Sequence, residues 1–147
     1  KEAKKRPERY ALVEIVNLHD DALDFEPIYR IVKCNSSEKA SELCDFIRNA
    51  VHNSIGSNEP YSVTVISGGK SEELLVKHPP KHLPVAFLQE LLDEFCMENP
   101  ECTIDYIHGV DSLTRLAEDE ASVGFIFKGM DKSELFKSII IAFNKSI

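Results

Sequence analysis

A chain of 147 residues, 43% hydrophobic and 29% charged, has the size and balance of one globular domain able to bury a core without disulfides or metals. A net charge of -8 argues against a nucleic-acid partner, which needs concentrated lysine and arginine. The longest apolar run is far short of the ~20 residues of a bilayer helix, and the charged opening KEAKKR has no apolar stretch after it, so neither a membrane span nor a signal peptide is indicated.

The basic cluster at Lys4, Lys5, Arg6 and Arg9 fits the solvated end of a helix. Tyr10 to Leu18 alternates β-branched residues and is expected to be a strand. The polar stretch from His19 to Asp24 is a loop, and Pro27 opens a second extended run, Ile28 to Lys33. Ser36 or Ser37 caps a helix to about Asn49, with Ala40, Leu43, Cys44, Ile47 and Val51 at helical spacing. Asn53 to Pro60 is rich in turn formers. Tyr61 to Ile66 and Glu72 to Lys77 flank a glycine turn and form a hairpin. Three prolines between His78 and Pro84 forbid regular structure there, and Pro84 suits the first turn of a helix running to about Met97. Thr103 to Ile107 is a strand, Asp111 to Ala117 a short helix and Val123 to Phe127 a strand. A last helix runs from Lys132 to about Phe143, capped by Asp131 with Glu134 three residues on.

The order β-β-α-β-β-α-β-α-β-α mixes a hairpin with helix-linked strands. It implies an α+β fold in one domain, with one mixed or antiparallel sheet and helices packed on it. The cysteines, Cys34, Cys44, Cys96 and Cys102, form no CxxC pair and signal no zinc site. They fit buried free thiols in a cytoplasmic protein.

Three short patterns invite chemistry and fail on geometry. Gly69-Lys70-Ser71 resembles the end of a phosphate loop, but Thr64 stands where that loop needs a glycine, and strand patterns surround it. His19, Asp20, Asp21, Asp24 and Glu26 offer oxygen and nitrogen ligands without EF-hand spacing or its turn glycine. His78 and His82 are four apart, which suits metal only on a helix that Pro79-Pro80 prevents. No metal site is therefore expected. Two single residues stand out more. His108 ends a strand just before Gly109, a place for an acid or base working near pH 7, or for a histidine bonded to the turn. Arg30 interrupts the apolar run Ile28 to Val32, where a charge must meet solvent, a carboxylate or an anionic ligand.

These segments carry a resemblance. Tyr10 to Val32 and Asp105 to Phe136 are similar to the C-terminal half of a widespread, mainly bacterial family catalogued as domain-of-unknown-function family 1015. Its strand, His/Asp-rich turn, Leu and Pro-x-His-Arg are matched by His19, Asp20, Leu23, Pro27, Tyr29 and Arg30. Its Tyr-x-His is matched by Tyr106 and His108, and its Gly-Phe run with the following helix start by Gly124, Phe125 and Asp131-Lys132-Ser133. Tyr29 stands where the family usually has histidine. The family's upstream Asp-Gly-His-His-Arg run, which resembles a motif of the ParB/sulfiredoxin-like superfamily with its nucleotide-using kinases, is not in this sequence.

The resemblance implies a C-terminal domain of a longer bacterial, cytoplasmic protein. It implies that the whole protein is a nucleotide-using, phosphoryl-transferring enzyme of small-metabolite metabolism, with ATP or ADP as cofactor there and none in this piece. On that reading the domain has no activity of its own and partners the N-terminal half of its own chain. Arg30, Tyr29 and Tyr106 would bind ligand and His108 would handle a proton in one shared polar cleft. The alternative is a non-catalytic packing or dimerisation domain, the latter with a homodimer as its assembly.

Overall fold

In the computed structural model, residues 10–17 and 25–131 are described. Eight elements follow in the order β1 (Ile28–Lys33), α1 (Ser37–His52), β2 (Tyr61–Ser67), β3 (Lys70–Val76), α2 (Pro84–Glu98), β4 (Thr103–His108), α3 (Val110–Leu116) and β5 (Ser122–Phe127). The five strands make one sheet in the spatial order β3-β2-β5-β1-β4, and every neighbouring pair is antiparallel. The fold is α+β, and of the two sheet types expected it is the antiparallel one.

The helices begin and end for local reasons. Ser36 is the N-cap of α1: its extended backbone lets Oγ accept from the Lys39 amide at 3.2 Å. The buried positions Ala40, Leu43, Ile47 and Val51 recur every three or four residues, so they form one stripe on the sheet. Pro84 opens α2, where its missing N–H costs nothing. Phe87, Leu88, Leu92 and Phe95 are that helix's buried side, and Phe95 packs on Phe46 of α1 with ring centroids 5.5 Å apart.

Strand register assigns the faces. Arg30 lies opposite Tyr106 and Phe125, and Val32 opposite Ile104 and Val123, so all of these share one face. That face carries α1 and α2, as the bond from Arg30 to Gln89 of α2 and the ion pair from Arg48 of α1 to Glu72 of β3 require. Tyr29, Ile31 and Gly124 point to the other face, which α3 covers. Gly124 makes that approach possible: a Cβ there would lie 3.1 Å from Leu113 Cγ and 3.2 Å from Ala117 Cβ. β5, in the middle of the sheet with helices on both sides, is buried at every residue except the half-buried Ile126.

Two expectations are revised. The hairpin turn is tighter than the sequence suggested: strands continue through Ser67 and Lys70, leaving only Gly68 and Gly69 in the turn. Their φ values of +54° and +72° are those of the two-residue turn whose twist matches antiparallel strands, and both favour glycine. The strand expected over residues 10–18 is not in the sheet. Residues 10–17 are irregular backbone, with Leu12, Val13 and Ile15 exposed. A strand-like sequence becomes a strand only where a partner edge accepts it. The acidic loop at His19, Asp20, Asp21 and Asp24 and the last helix from Lys132 lie outside the described residues.

Candidate functional site

Arg30 sits in the third position of β1, a strand whose other residues are apolar up to Lys33. Its guanidinium crosses the ring of Tyr106 on the neighbouring β4, with Cζ 4.6 Å from the ring centroid, and lies 5.9 Å from that of Phe127. Nε donates to Gln89 Oε1 at 2.8 Å, and Nη1 donates to the carbonyl of Ile28. Gln89 in turn donates through Nε2 to Asp93 Oδ1 at 2.8 Å. The partners of this cation are thus one amide, one carbonyl and two ring faces. Among the described residues no carboxylate bonds to it directly, and Nη2 has no hydrogen bond. Burial pulls the guanidinium's pKa down, opposed by Tyr106 and by the more distant Asp93. It stays charged all the same, because an arginine does not lose its proton in a protein.

Arg30 forms part of the wall of a cavity of about 280 Å³. The segment before β1 supplies Phe25, Glu26 and Pro27, the segment after β5 supplies Lys128, Gly129 and Met130, and the start of α2 supplies Leu83, Pro84 and Val85. The two strand-flanking segments run close together, since a Cβ on Gly129 would lie 3.2 Å from Pro27 Cδ. The α2 terminus facing this space has no capping side chain and no acidic residue in its first turn. A helix start carries partial positive charge and amides without intrahelical acceptors. Arg30 and this helix end give one wall positive character, against the carboxylate of Glu26; Lys128 is ion-paired with Asp131 at 3.1 Å, and most of the remaining lining is apolar.

The other residues singled out from sequence separate. Tyr106 is with Arg30, half-exposed beneath its guanidinium. His108 is opposite Ile28 and so on the same sheet face as Arg30, but it is exposed at the strand end and is not in the cavity wall. Tyr29 belongs to the opposite face. Its ring meets Phe127 edge-on with centroids 5.8 Å apart, and it borders a second cavity of about 260 Å³ with Glu26, Pro27, Gly109 and Val110. Gly69-Lys70-Ser71 is hairpin, not a strand-to-helix loop. His78 and His82 are exposed in the proline-rich segment, and among the described residues no group of three or more histidine, cysteine or acidic side chains could hold a metal.

In comparisons with protein-family models, curated proteins and solved structures, nothing matches this chain. Sequence reasoning found Arg30 because a charge in an apolar run is conspicuous. It missed Gln89 and Lys128, which look like ordinary surface residues until α2 and the segment after β5 are folded against β1. No helix among the described residues is long and apolar enough to cross a membrane.

Proposed function

We propose that this chain is an accessory ligand-binding domain whose Arg30 cavity takes an anionic group carried on a compact apolar body. The observation that carries the reading is a partly desolvated guanidinium in a cavity wall whose contacts among the described residues are all neutral. Taking a cation out of water is costly unless an anion or several hydrogen bonds offset it, and a planar guanidinium with a nitrogen to spare suits carboxylate and phosphate. The resemblance to domain-of-unknown-function family 1015 extends this reading: the anionic group would be a phosphate of ATP or ADP, and chemistry would belong to an N-terminal half. His108, outside the cavity wall, would act only on a ligand that reaches past Tyr106.

Thermal unfolding with added ATP, ADP, pyrophosphate or hexanoate tests this. A ligand at ~100 times its Kd stabilises the native state by about 2.7 kcal/mol, which for a chain of this size is a rise in Tm of roughly 8 °C. The expected result is a rise for at least one of these anions that Arg30→Gln abolishes. A shift of equal size in the variant would sink the proposal. Nucleotide and pyrophosphate active, with hexanoate silent, would favour the phosphate reading.

A second reading, a packing or homodimer-forming domain, has one specific observation behind it. Leu12 and Ile15 are 104% and 95% exposed, and their neighbours Val13 and Val16 are also open to solvent. Such a strand-like apolar stretch is a ready partner for another sheet edge. Light scattering across a concentration series checks this reading. It expects a dimer that Leu12→Asp with Ile15→Asp converts to monomer, and a monomer at all concentrations argues against it.

A further inference from the structure

Cys34 and Cys102 are 68 positions apart in sequence, yet their sulfurs lie 2.9 Å from each other. The register explains the meeting. Lys33 of β1 is opposite Thr103 of β4, so the next residues outward are Cys34 and Cys102, facing each other where the two strands part. Cross-strand neighbours bring their Cβ atoms to about 4.5–5.5 Å, near the spacing a disulfide needs, and the sulfurs are within about 1 Å of covalent length. The surroundings hold the two in place. The Cys34 amide donates to the carbonyl of Ala121 at 2.8 Å, and that of Cys102 to the carbonyl of Asn99 at 2.9 Å. Cys102 is buried and Cys34 half-exposed. Cys44 is apart on α1, whereas Cys96, on the last turn of α2, is near enough for its charge to be felt at Cys34.

We infer that Cys34 and Cys102 are a dithiol pair that closes to a disulfide on exchange with a small-molecule disulfide, covalently joining β1 to β4 without rearrangement of the sheet. Exposure sets the order of steps. The thiolate of Cys34, the reachable partner, attacks one sulfur of the small disulfide. A mixed disulfide forms, the small disulfide's own S–S bond breaks, and one thiolate leaves. Cys102, as thiolate, then attacks the Cys34 sulfur and expels the second small thiolate. Two electrons and two protons leave the protein pair, and one small disulfide becomes two thiols. Burial, and then the hydrogen bond with Cys102, hold the Cys34 thiol well above its usual pKa. The closure is therefore slow at neutral pH and speeds up by about tenfold per pH unit as the thiolate fraction grows.

The test is incubation of the whole chain with oxidised glutathione, followed by intact-mass measurement and peptide mapping. The expected product is lighter by two hydrogens, carries a Cys34–Cys102 linked peptide, leaves Cys44 as a thiol and melts several degrees higher. Cys102→Ser should stop at glutathione bound to Cys34. Should that variant not fold, the wild-type peptide map decides alone. A dominant link through Cys96, or a mixed disulfide that persists in the wild type, overturns the inference. So does a folded chain that keeps all its thiols under conditions that cross-link the urea-unfolded chain.

Discussion

At the scale of single residues, Tyr61 behaves in an unexpected way. Nothing about a tyrosine after Pro60 at a strand start distinguishes it in the sequence. In the fold its hydroxyl is buried and has no hydrogen-bond partner among the described residues. Burial pushes its pKa up to about 12, from an ordinary ~10. An unmet hydroxyl costs stability, so Tyr61→Phe is expected to leave stability unchanged or raise it by up to about 1 kcal/mol. The pH dependence has a definite sign. The folded state holds the proton more tightly, so the contribution is intact below the unfolded value near 10 and is lost as pH climbs from there toward 12. Urea unfolding at pH 8 and at pH 10.5 should therefore show a smaller alkaline loss in Tyr61→Phe than in the wild type. Equal losses would show that Tyr61 is not responsible. Arg30 is the opposite case: a charge in an apolar run is legible by itself and the family resemblance singled out Tyr106, while the partner Gln89 comes from an element 59 positions further along the chain (Arg30 to Gln89 by number) and is not.

At the scale of elements, the β2–β3 hairpin gives the sharpest check. Both turn residues have positive φ, and a Cβ on Gly69 would meet nothing within 4 Å. Any penalty for a side chain there is therefore a backbone penalty, not a clash. Gly69→Val should destabilise by about 1–3 kcal/mol, since a β-branched residue resists this region. Gly68→Asn should be neutral or mildly stabilising, because asparagine is favoured in the first position of such a turn. Thermal unfolding of the two variants reads both, and equal losses in the pair would argue against this turn geometry. Elements of this kind were legible because each rests on short-range physics: a proline at a helix start, a serine cap, helical spacing of apolar residues, a glycine pair between alternating strands. Residues 10–17 show where that legibility stops. Alternation marks a segment fit to be a strand, but whether it becomes one depends on an edge elsewhere.

At the scale of the whole molecule, sheet order was the least legible property. Composition and element sequence implied one α+β layer but gave no sign that β5 would lie between β2 and β1. In that placement the hairpin on one side and the β1–β4 pair on the other are bridged by the strand pairings of β5, so the sheet is expected to melt as one cooperative body. Phe125, with none of its surface exposed, is paired with Arg30 and Val65 at that bridge. Phe125→Ala is expected to cost about 3–5 kcal/mol, and to lower one transition rather than split it in two. Calorimetry checks both points. A variant with two separate melting steps would mean that the two sides of the sheet are independent.

The same arrangement bears on how the protein is made. A ribosome delivers β1 and the hairpin well before Ser122–Phe127 and β4 shortly before it, so until β5 arrives the nascent chain has two fragments of a sheet with the inner edges of β2 and β1 still open. Open inner edges are the surfaces most prone to pairing with a neighbouring chain. Closure of the sheet thus waits for β5, and slowing translation just ahead of Ser122 would prolong the period in which newly made chains can associate wrongly.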